Sequence, residues 1–186
     1  MRKTILQGLL HRPLTEPLAV PAIDDPELVT LARELDAAAQ RRLGRSLSIR
    51  AVDAGSCNGC ELELHALTNA FYDLERFGLR FVASPRHADV LTVTGPVTQQ
   101  MRMALERTWQ ATPGPKWLVA VGACARDGFL FAASPACAGG VAAVLPVDLY
   151  IADCPPTPRD LLRGLLTLLR PAANGRPDAI NRRSGQ

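Results

Sequence analysis

The stretch LSIRAVDAGSCNGCELEL, residues 47–64, decides the fold. Residues 47–52 alternate like a short β-strand that is buried in a sheet. A loop of small residues with a Cys-x-x-Cys pair follows, and apolar residues then recur at helical spacing from Cys60 to Phe77. A strand that passes through a short loop into a helix is the unit from which α/β domains are built.

The same alternation of strands and helices continues to about residue 170. Strands are predicted at 79–83, 90–94 and 117–121, with a broken strand at 144–151, and helices at 97–109 and 157–169. The last helix begins with Thr157-Pro158-Arg159-Asp160, which resembles a capping box with proline at the first helical position. The pattern predicts an α/β domain with a mostly parallel sheet and helices on both faces.

The regions that flank this domain have different compositions. Residues 1–26 contain four prolines and predict an extended N-terminal arm, in which the apolar residues at 5–10 suit a frayed end and a membrane or partner anchor about equally. Residues 27–46 have the spacing of a surface helix, and residues 172–186 are polar and aperiodic, as in a disordered tail. The predicted domain therefore occupies residues 47–171.

Composition excludes several classes of protein. The chain has 186 residues, of which 47% are apolar and 21% charged, and this suits one domain with its own core. No apolar run approaches the roughly 18 residues of a membrane span. The net charge of +3 lies in the flanks, at +2 each, while residues 51–171 carry −1. With no basic stripe on the domain, nucleic acid is not an expected partner.

Five cysteines, an odd number, occur without a secretory leader, which predicts a reducing cytoplasm and argues against a disulfide framework. Cys57 and Cys60 follow the first predicted strand, Cys124 follows the fourth and Cys154 the last. The carboxyl ends of parallel strands share one edge of a sheet, so these four thiols are expected to meet there. Four thiolates suit zinc or a [4Fe–4S] cluster, and the single Cys-x-x-Cys pair favours the cluster only modestly.

Residues 53–63, DAGSCNGCELE, closely resemble the cluster loop of small subunits from membrane-bound, cytoplasm-facing [NiFe] hydrogenases of the formate hydrogenlyase type. The likeness covers residues 50–170 and includes the segments 72–78, 85–91, 93–98, 121–124, 146–148 and 154–158. A close relative is the B-type subunit of respiratory complex I, NADH:quinone oxidoreductase. That subunit has adjacent cysteines in the first loop, so the Cys-x-x-Cys spacing favours the hydrogenase side.

The resemblance implies a flavodoxin-like domain that holds one [4Fe–4S] cluster on Cys57, Cys60, Cys124 and Cys154, with no catalytic residue of its own. It implies an oxidoreductase subunit that passes electrons between a [NiFe]-type large subunit and ferredoxin-like iron–sulfur subunits. Membrane antiporter-like subunits would complete the complex, peripheral to the cytoplasmic side of the membrane. One alternative is a quinone-reducing or ion-pumping complex without nickel, and another is a zinc-stabilised binding module.

Four further residues are candidates for the surroundings of the cluster. Glu63 resembles a carboxylate beside the cluster of complex I, although compensation of the helix dipole explains it about as well. His87 is a candidate for a hydrogen bond near the cluster or an ordinary surface histidine. Asp153 stands where the family usually has glycine, and would lower the reduction potential if it faced the cluster rather than solvent. Cys137 is expected to be a spare thiol, since the cluster needs four.

Overall fold

The computed structural model describes residues 25–170, so residues 1–24 of the predicted arm and the predicted tail at 172–186 lie outside the described residues. Over the described part, no helix has both the length and the apolar character needed to cross a membrane. The helices and strands, in chain order, are α1 Pro26–Leu43, β1 Leu47–Asp53, α2 Gly59–Ala66, β2 Leu79–Phe81, β3 Val90–Thr94, α3 Gln99–Ala111, β4 Trp117–Val121, α4 Ala123–Asp127, β5 Leu149–Ile151 and α5 Pro158–Leu169.

The five strands form one sheet in the order β2-β1-β3-β4-β5, and every neighbouring pair is parallel. This is the strand order of flavodoxin-like domains. The register aligns the last residues of four strands, because Asp53 pairs with Thr94, Thr94 with Val121, and Val121 with Ile151. These four strand ends form one straight edge, which we call the cysteine edge because the loops that leave it carry Cys57, Cys60, Cys124 and Cys154.

Each face of the sheet has its own apolar core, as expected where helices cover both faces. On one face, α1, α2 and α5 pack against strand residues that include Ile49, Val90 and Val119. On the other face, Leu105 of α3 and Ala125 of α4 pack against the strand residues that point the opposite way. The predicted α/β class, the parallel sheet and the helices on both faces are confirmed.

Helix α1 packs lengthwise against α5, and we call this contact the α1–α5 seam. Its centre is apolar, since Leu35 is buried on α1 and Leu165 is buried on α5. Ion pairs close its exposed rim, including Arg163 to Glu27 at 2.5 Å. Residues 27–46 were predicted to form a surface helix, and α1 is that helix with its inner face in the first core. The boundaries of the predicted domains stay predictions.

The helix predicted from Cys60 to Phe77 is shorter than expected, because α2 ends at Ala66. The reason is local hydrogen bonding by Asn69, whose side-chain oxygen accepts from the backbone N–H groups of Phe71 and Tyr72 at 2.9 and 3.0 Å and turns the chain. A short 3-10 helix at Leu74–Phe77 then leads into β2. The apolar spacing predicted burial at several of these positions but not a continuous helix.

The strand predicted at 144–151 is also shorter, because only Leu149–Ile151 pairs with the sheet. Asp148 fixes its start in β4, since its backbone N–H donates to the Leu118 carbonyl at 2.9 Å and its carboxylate accepts from the Leu118 N–H at 2.8 Å. The predicted capping box is confirmed at the start of α5. There Thr157 and Asp160 exchange hydrogen bonds between side chain and backbone.

Candidate metal centre

The strand register places the four cysteines close to the same edge of the sheet. Cys57 and Cys60 leave β1, Cys124 lies in α4 directly after β4, and Cys154 lies three residues after β5. Parallel strands that end at the same level collect ligands at that edge. Cys57 and Cys154 are exposed, Cys124 is half-buried and Cys60 is buried. The arrangement combines one thiol rooted in the core with others that are open to a bound group.

The loop between β1 and α2 is held by short polar contacts. The carboxylate of Asp53 accepts from the backbone N–H groups of Gly55 and Ser56 at 2.8 and 2.7 Å. The Ser56 hydroxyl oxygen accepts from the N–H of Asn58 at 3.0 Å, and Asn58 adopts a left-handed backbone with φ of 71°. These contacts turn the chain so that α2 begins at Gly59 and Cys60 lies in its first turn.

The thiol of Cys60 lies against the start of α4. A Cβ atom placed on Gly122 would stand 2.6 Å from the Cys60 sulfur, closer than side chains tolerate. Gly122 also has a φ of 90°, a backbone conformation that other residues rarely adopt. Glycine at this position therefore leaves the space that the sulfur occupies and allows the turn between β4 and α4.

The four thiols act on one another electrostatically. Burial raises the pKa of Cys60 to about 12, and the charges of Glu61, Cys154, Cys57 and Cys124 contribute to this increase in that order. Burial also raises the pKa of Cys124, with Cys154 and Cys57 the next causes. Four thiolates this close repel one another unless cations offset their charge, and metal ions bound to thiolates supply that charge.

The donor set suits an iron–sulfur cluster, which cysteine thiolates bind through four irons. Across residues 25–170, no three histidine, cysteine, aspartate or glutamate side chains converge closely enough to surround one metal ion. A [4Fe–4S] cluster binds each thiolate to a different iron, so its four cysteines need not converge on one point. The space beside Cys60 that Gly122 leaves open is compatible with such a group.

Cys137 occupies a different place. It lies half-buried in the segment after α4, where an isolated bridge joins it to Thr98 and its carbonyl accepts from the Gln99 side chain at 3.4 Å. The charges that raise the pKa values of Cys60 and Cys124 are those of the other thiols and of carboxylates, and Cys137 is not one of them. The structure therefore groups Cys137 apart from the four predicted ligands.

The three other candidates lie in different settings. Glu63 is half-buried on α2, one turn beyond Cys60, and His87 is exposed at the end of a 3-10 turn. Asp153 is exposed and has a φ of 81°, and its carbonyl accepts from the Ala123 N–H at 3.1 Å. A positive φ favours glycine, so the backbone explains why glycine is usual at this position in the family that the sequence resembles.

Two features of this edge were not predicted from the sequence. Glu61 accepts hydrogen bonds from the hydroxyls of Ser56 and Thr94 and so connects the cysteine loop to β3. Phe129–Phe131, a 3-10 turn after α4, exposes three large apolar side chains, with Leu130 79% exposed. The signal for this turn was present in the sequence as the aperiodic run FLF shortly after Cys124.

Comparisons with known proteins agree with this arrangement. Residues 57–168 match the family model described as NADH ubiquinone oxidoreductase, 20 Kd subunit. The chain is 40% identical over 152 residues to formate hydrogenlyase subunit 7 of Escherichia coli, a match that covers 82% of this chain and 58% of that protein. The chain therefore spans less than two thirds of the length of that relative.

Further relatives come from other complexes. A probable membrane-bound hydrogenase subunit, mbhJ, of Pyrococcus furiosus is 43% identical over 70% of this chain and 78% of its own length. The B-type subunit of NADH-quinone oxidoreductase from Akkermansia muciniphila is 47% identical over 59% of this chain and 56% of its own.

Among solved structures, a chain of the membrane-bound sulfane sulfur reductase, an archaeal respiratory membrane complex, matches with a TM-score of 0.60 and 32% identity. The match covers 74% of this chain and 73% of that chain. The relatives are subunits of oxidoreductase complexes, some of them membrane-bound. With a family model that covers more than half of its length, this chain belongs to the family of the 20 Kd subunit of NADH ubiquinone oxidoreductase.

Proposed function

We propose that this chain is the electron-transfer subunit of a membrane-associated [NiFe] hydrogenase-like complex. The observation that carries the proposal is the meeting of four thiols from three separate strand ends at the cysteine edge, where Cys60 lies within electrostatic reach of Cys57, Cys124 and Cys154. The hydrogenase assignment rests on the Cys-x-x-Cys spacing of the first loop and on the identity to formate hydrogenlyase subunit 7.

The four cysteines would hold one [4Fe–4S] cluster. Such a cluster accepts and releases one electron at a time, at a potential set by hydrogen bonds, charge and solvent exposure. Within the chain, the buried Cys60 roots the site in the core, while Gly122 leaves space for its sulfur. The chain itself would supply no catalytic residue and would work as one step in a relay between subunits.

The partners in this proposal are a [NiFe]-type large subunit, a ferredoxin-like iron–sulfur subunit and membrane antiporter-like subunits. The Phe129–Phe131 turn supports a protein interface close to the cysteine edge, because it follows the helix of Cys124 and exposes adjacent apolar side chains. The complex would lie on the cytoplasmic side of the membrane, with this chain peripheral to it. The names of the hydrogenase relatives support a membrane-bound assembly.

A second candidate is a component of a quinone-reducing or ion-pumping complex whose large subunit lacks nickel, similar to the B-type subunit of complex I. The 47% identity to that subunit of NADH-quinone oxidoreductase favours it. The two candidates share the electron-transfer role of this chain and differ in the large subunit. Copurification of the large subunit and measurement of its nickel content separate them, since the hydrogenase assignment requires nickel and the second candidate excludes it.

The cluster is tested on the anaerobically purified full chain by metal analysis and by electron paramagnetic resonance of the reduced protein. We expect about four irons and four sulfides per chain, as in a single [4Fe–4S] cluster. Cys124→Ser should abolish the signal, whereas Cys137→Ser should leave it intact. One zinc per chain with no iron–sulfur signal would make the chain a zinc-stabilised binding module instead, and loss of the cluster in Cys137→Ser would overturn the ligand assignment.

A further inference from the structure

Glu61 lies between the cysteine loop and the sheet. One carboxylate oxygen accepts a hydrogen bond from the Ser56 hydroxyl at 2.5 Å, and the other accepts from the hydroxyl of Thr94. Thr94 is the last residue of β3 and only 1% exposed. Compensation of the helix dipole explains a carboxylate in the first turn of α2, but it does not require contacts with two hydroxyls on different elements.

The contact with Ser56 continues into the cysteine loop. The Ser56 oxygen also accepts from the backbone N–H of Asn58, the residue between Cys57 and the start of α2. When Ser56 donates its proton to Glu61, its oxygen is oriented to accept from Asn58. The loop also lies directly on the end of β3, because a Cβ atom on Gly95 would stand 2.5 Å from the Ser56 nitrogen.

We infer that Glu61 is a positioning residue that clamps the loop of Cys57 to the end of β3 and thereby sets both the retention and the potential of the cluster. The inference rests on the proposed function, since it concerns the group that the four cysteines would hold. Ser56 and Thr94 fix the carboxylate, and the carboxylate fixes the loop. A negative charge held next to Cys60 disfavours an added electron, so the same residue lowers the reduction potential.

The test compares the wild-type full chain with Glu61→Ala, Ser56→Ala, the double variant and Glu61→Gln, all purified anaerobically. The rate at which iron passes to a chelator should rise about 10- to 100-fold in Glu61→Ala, the usual effect of losing a partner that orients a metal ligand. Ser56→Ala should show a similar rise. The double variant should add little to either, because both residues act through one hydrogen bond.

Glu61→Gln separates position from charge. Its amide has a donor and an acceptor and can engage both hydroxyls, so it should restore most of the wild-type iron retention. Without the negative charge, its midpoint potential should lie above that of the wild type in a redox titration followed by electron paramagnetic resonance. A purely structural role of Glu61 in folding would not shift the potential of a variant that retains its cluster.

Glu75→Ala is the matched control. Glu75 is exposed in the 3-10 turn before β2, near the amino ends of the strands and so on the side of the sheet away from the cysteines. It should leave iron release and potential unchanged. The inference is overturned if Glu61→Ala releases iron at the wild-type rate, if Glu75→Ala releases it as fast as Glu61→Ala, or if Glu61→Gln keeps the wild-type potential. A wild-type chain without iron and sulfide would instead refute the proposed function. If Glu61→Ala fails to fold, Ser56→Ala and Glu61→Gln carry the same test.

Discussion

The cysteine edge and the α1–α5 seam are held together in different ways. At the seam, regular helices with capped ends bury an apolar centre, and Leu35 and Leu165 have at most 1% of their surface exposed. At the cysteine edge, short loops depend on left-handed backbone at Asn58 and Asp153, and two of the four thiols are exposed. The seam is stabilised by burial and the edge by local contacts around strained turns.

This difference separates stability from function. The seam loses no stability when a metal group is absent, because its contacts are made within the chain. The edge is electrostatically unfavourable by itself, since the Cys60 thiol is buried and surrounded by other thiols and a carboxylate. Changes at the seam should therefore lower the free energy of unfolding, while changes at the edge should alter metal binding with smaller effects on the fold.

The largest expected effect is on stability, from Leu165→Ala in the seam. Leu165 is 1% exposed in the first core, and truncating a buried leucine costs about 2–5 kcal/mol through lost burial and the cavity left behind. Urea denaturation of the metal-free full chain, followed by circular dichroism, measures this loss. Iron binding by the folded fraction should be unaffected.

Cys57→Ser is the matched change at the edge. The side chain is exposed, so the free energy of unfolding of the metal-free chain should change by no more than about 0.5 kcal/mol. Iron content after reconstitution should nevertheless fall sharply. Equal losses of stability in Cys57→Ser and Leu165→Ala would contradict the separation of the two regions.

A smaller effect is expected at a glycine of each region. Gly122→Ala should lower the free energy of unfolding by about 1–3 kcal/mol, because its φ of 90° and ψ of 162° suit glycine almost alone. The new methyl group would also press on the Cys60 sulfur, so reconstituted iron should decrease as well. Denaturation and iron analysis of the same preparation measure both effects.

Gly44→Ala supplies the comparison from the seam. Gly44 ends α1 with a φ of 68°, and a Cβ atom there would meet nothing within 4 Å. It should cost about 1 kcal/mol for the left-handed backbone and leave iron binding unchanged. If Gly44→Ala reduced iron content as much as Gly122→Ala, crowding at Cys60 would not be the cause.

The sequence was sufficient to predict the grouping of the four cysteines. Strands β3 and β4 are continuous apolar runs, as buried parallel strands are, and their bounds match the prediction. Once the sheet is parallel, residues that follow strand ends must share an edge, and Cys57, Cys124 and Cys154 do so whatever the exact register. Long-range placement was predictable here because it depends on topology rather than on individual side-chain contacts.

Contacts that depend on a particular side chain were not predictable. The end of α2 depends on Asn69, whose amide oxygen competes with helical hydrogen bonds, while the apolar spacing continues past it. The role of Glu61 depends on its meeting Thr94, and this requires the register of β1 and β3 and the shape of the cysteine loop. The left-handed backbone of Asp153 is likewise hidden in the sequence, since an aspartate gives no sign of a positive φ.

The smallest expected effect concerns the pH dependence of the seam, through the capping box of α5. The hydrogen bond from the Thr157 hydroxyl is the main reason that the pKa of Asp160 lies below its ordinary value of 3.8, and Arg163 contributes further. A carboxylate whose pKa is lower in the folded state stabilises the fold above its unfolded pKa and loses that effect as the pH falls through the folded value. Asp160→Asn should therefore lower the free energy of unfolding at neutral pH by about 0.5–1 kcal/mol, the usual value of a helix cap. The difference from the wild type should shrink as the pH falls below 3.8. Urea denaturation across this range measures it, with the exposed Glu75→Gln as a control that removes one charge outside the seam. A gap that stayed constant or widened toward acid would show that the Asp160 carboxylate does not stabilise α5 through its charge.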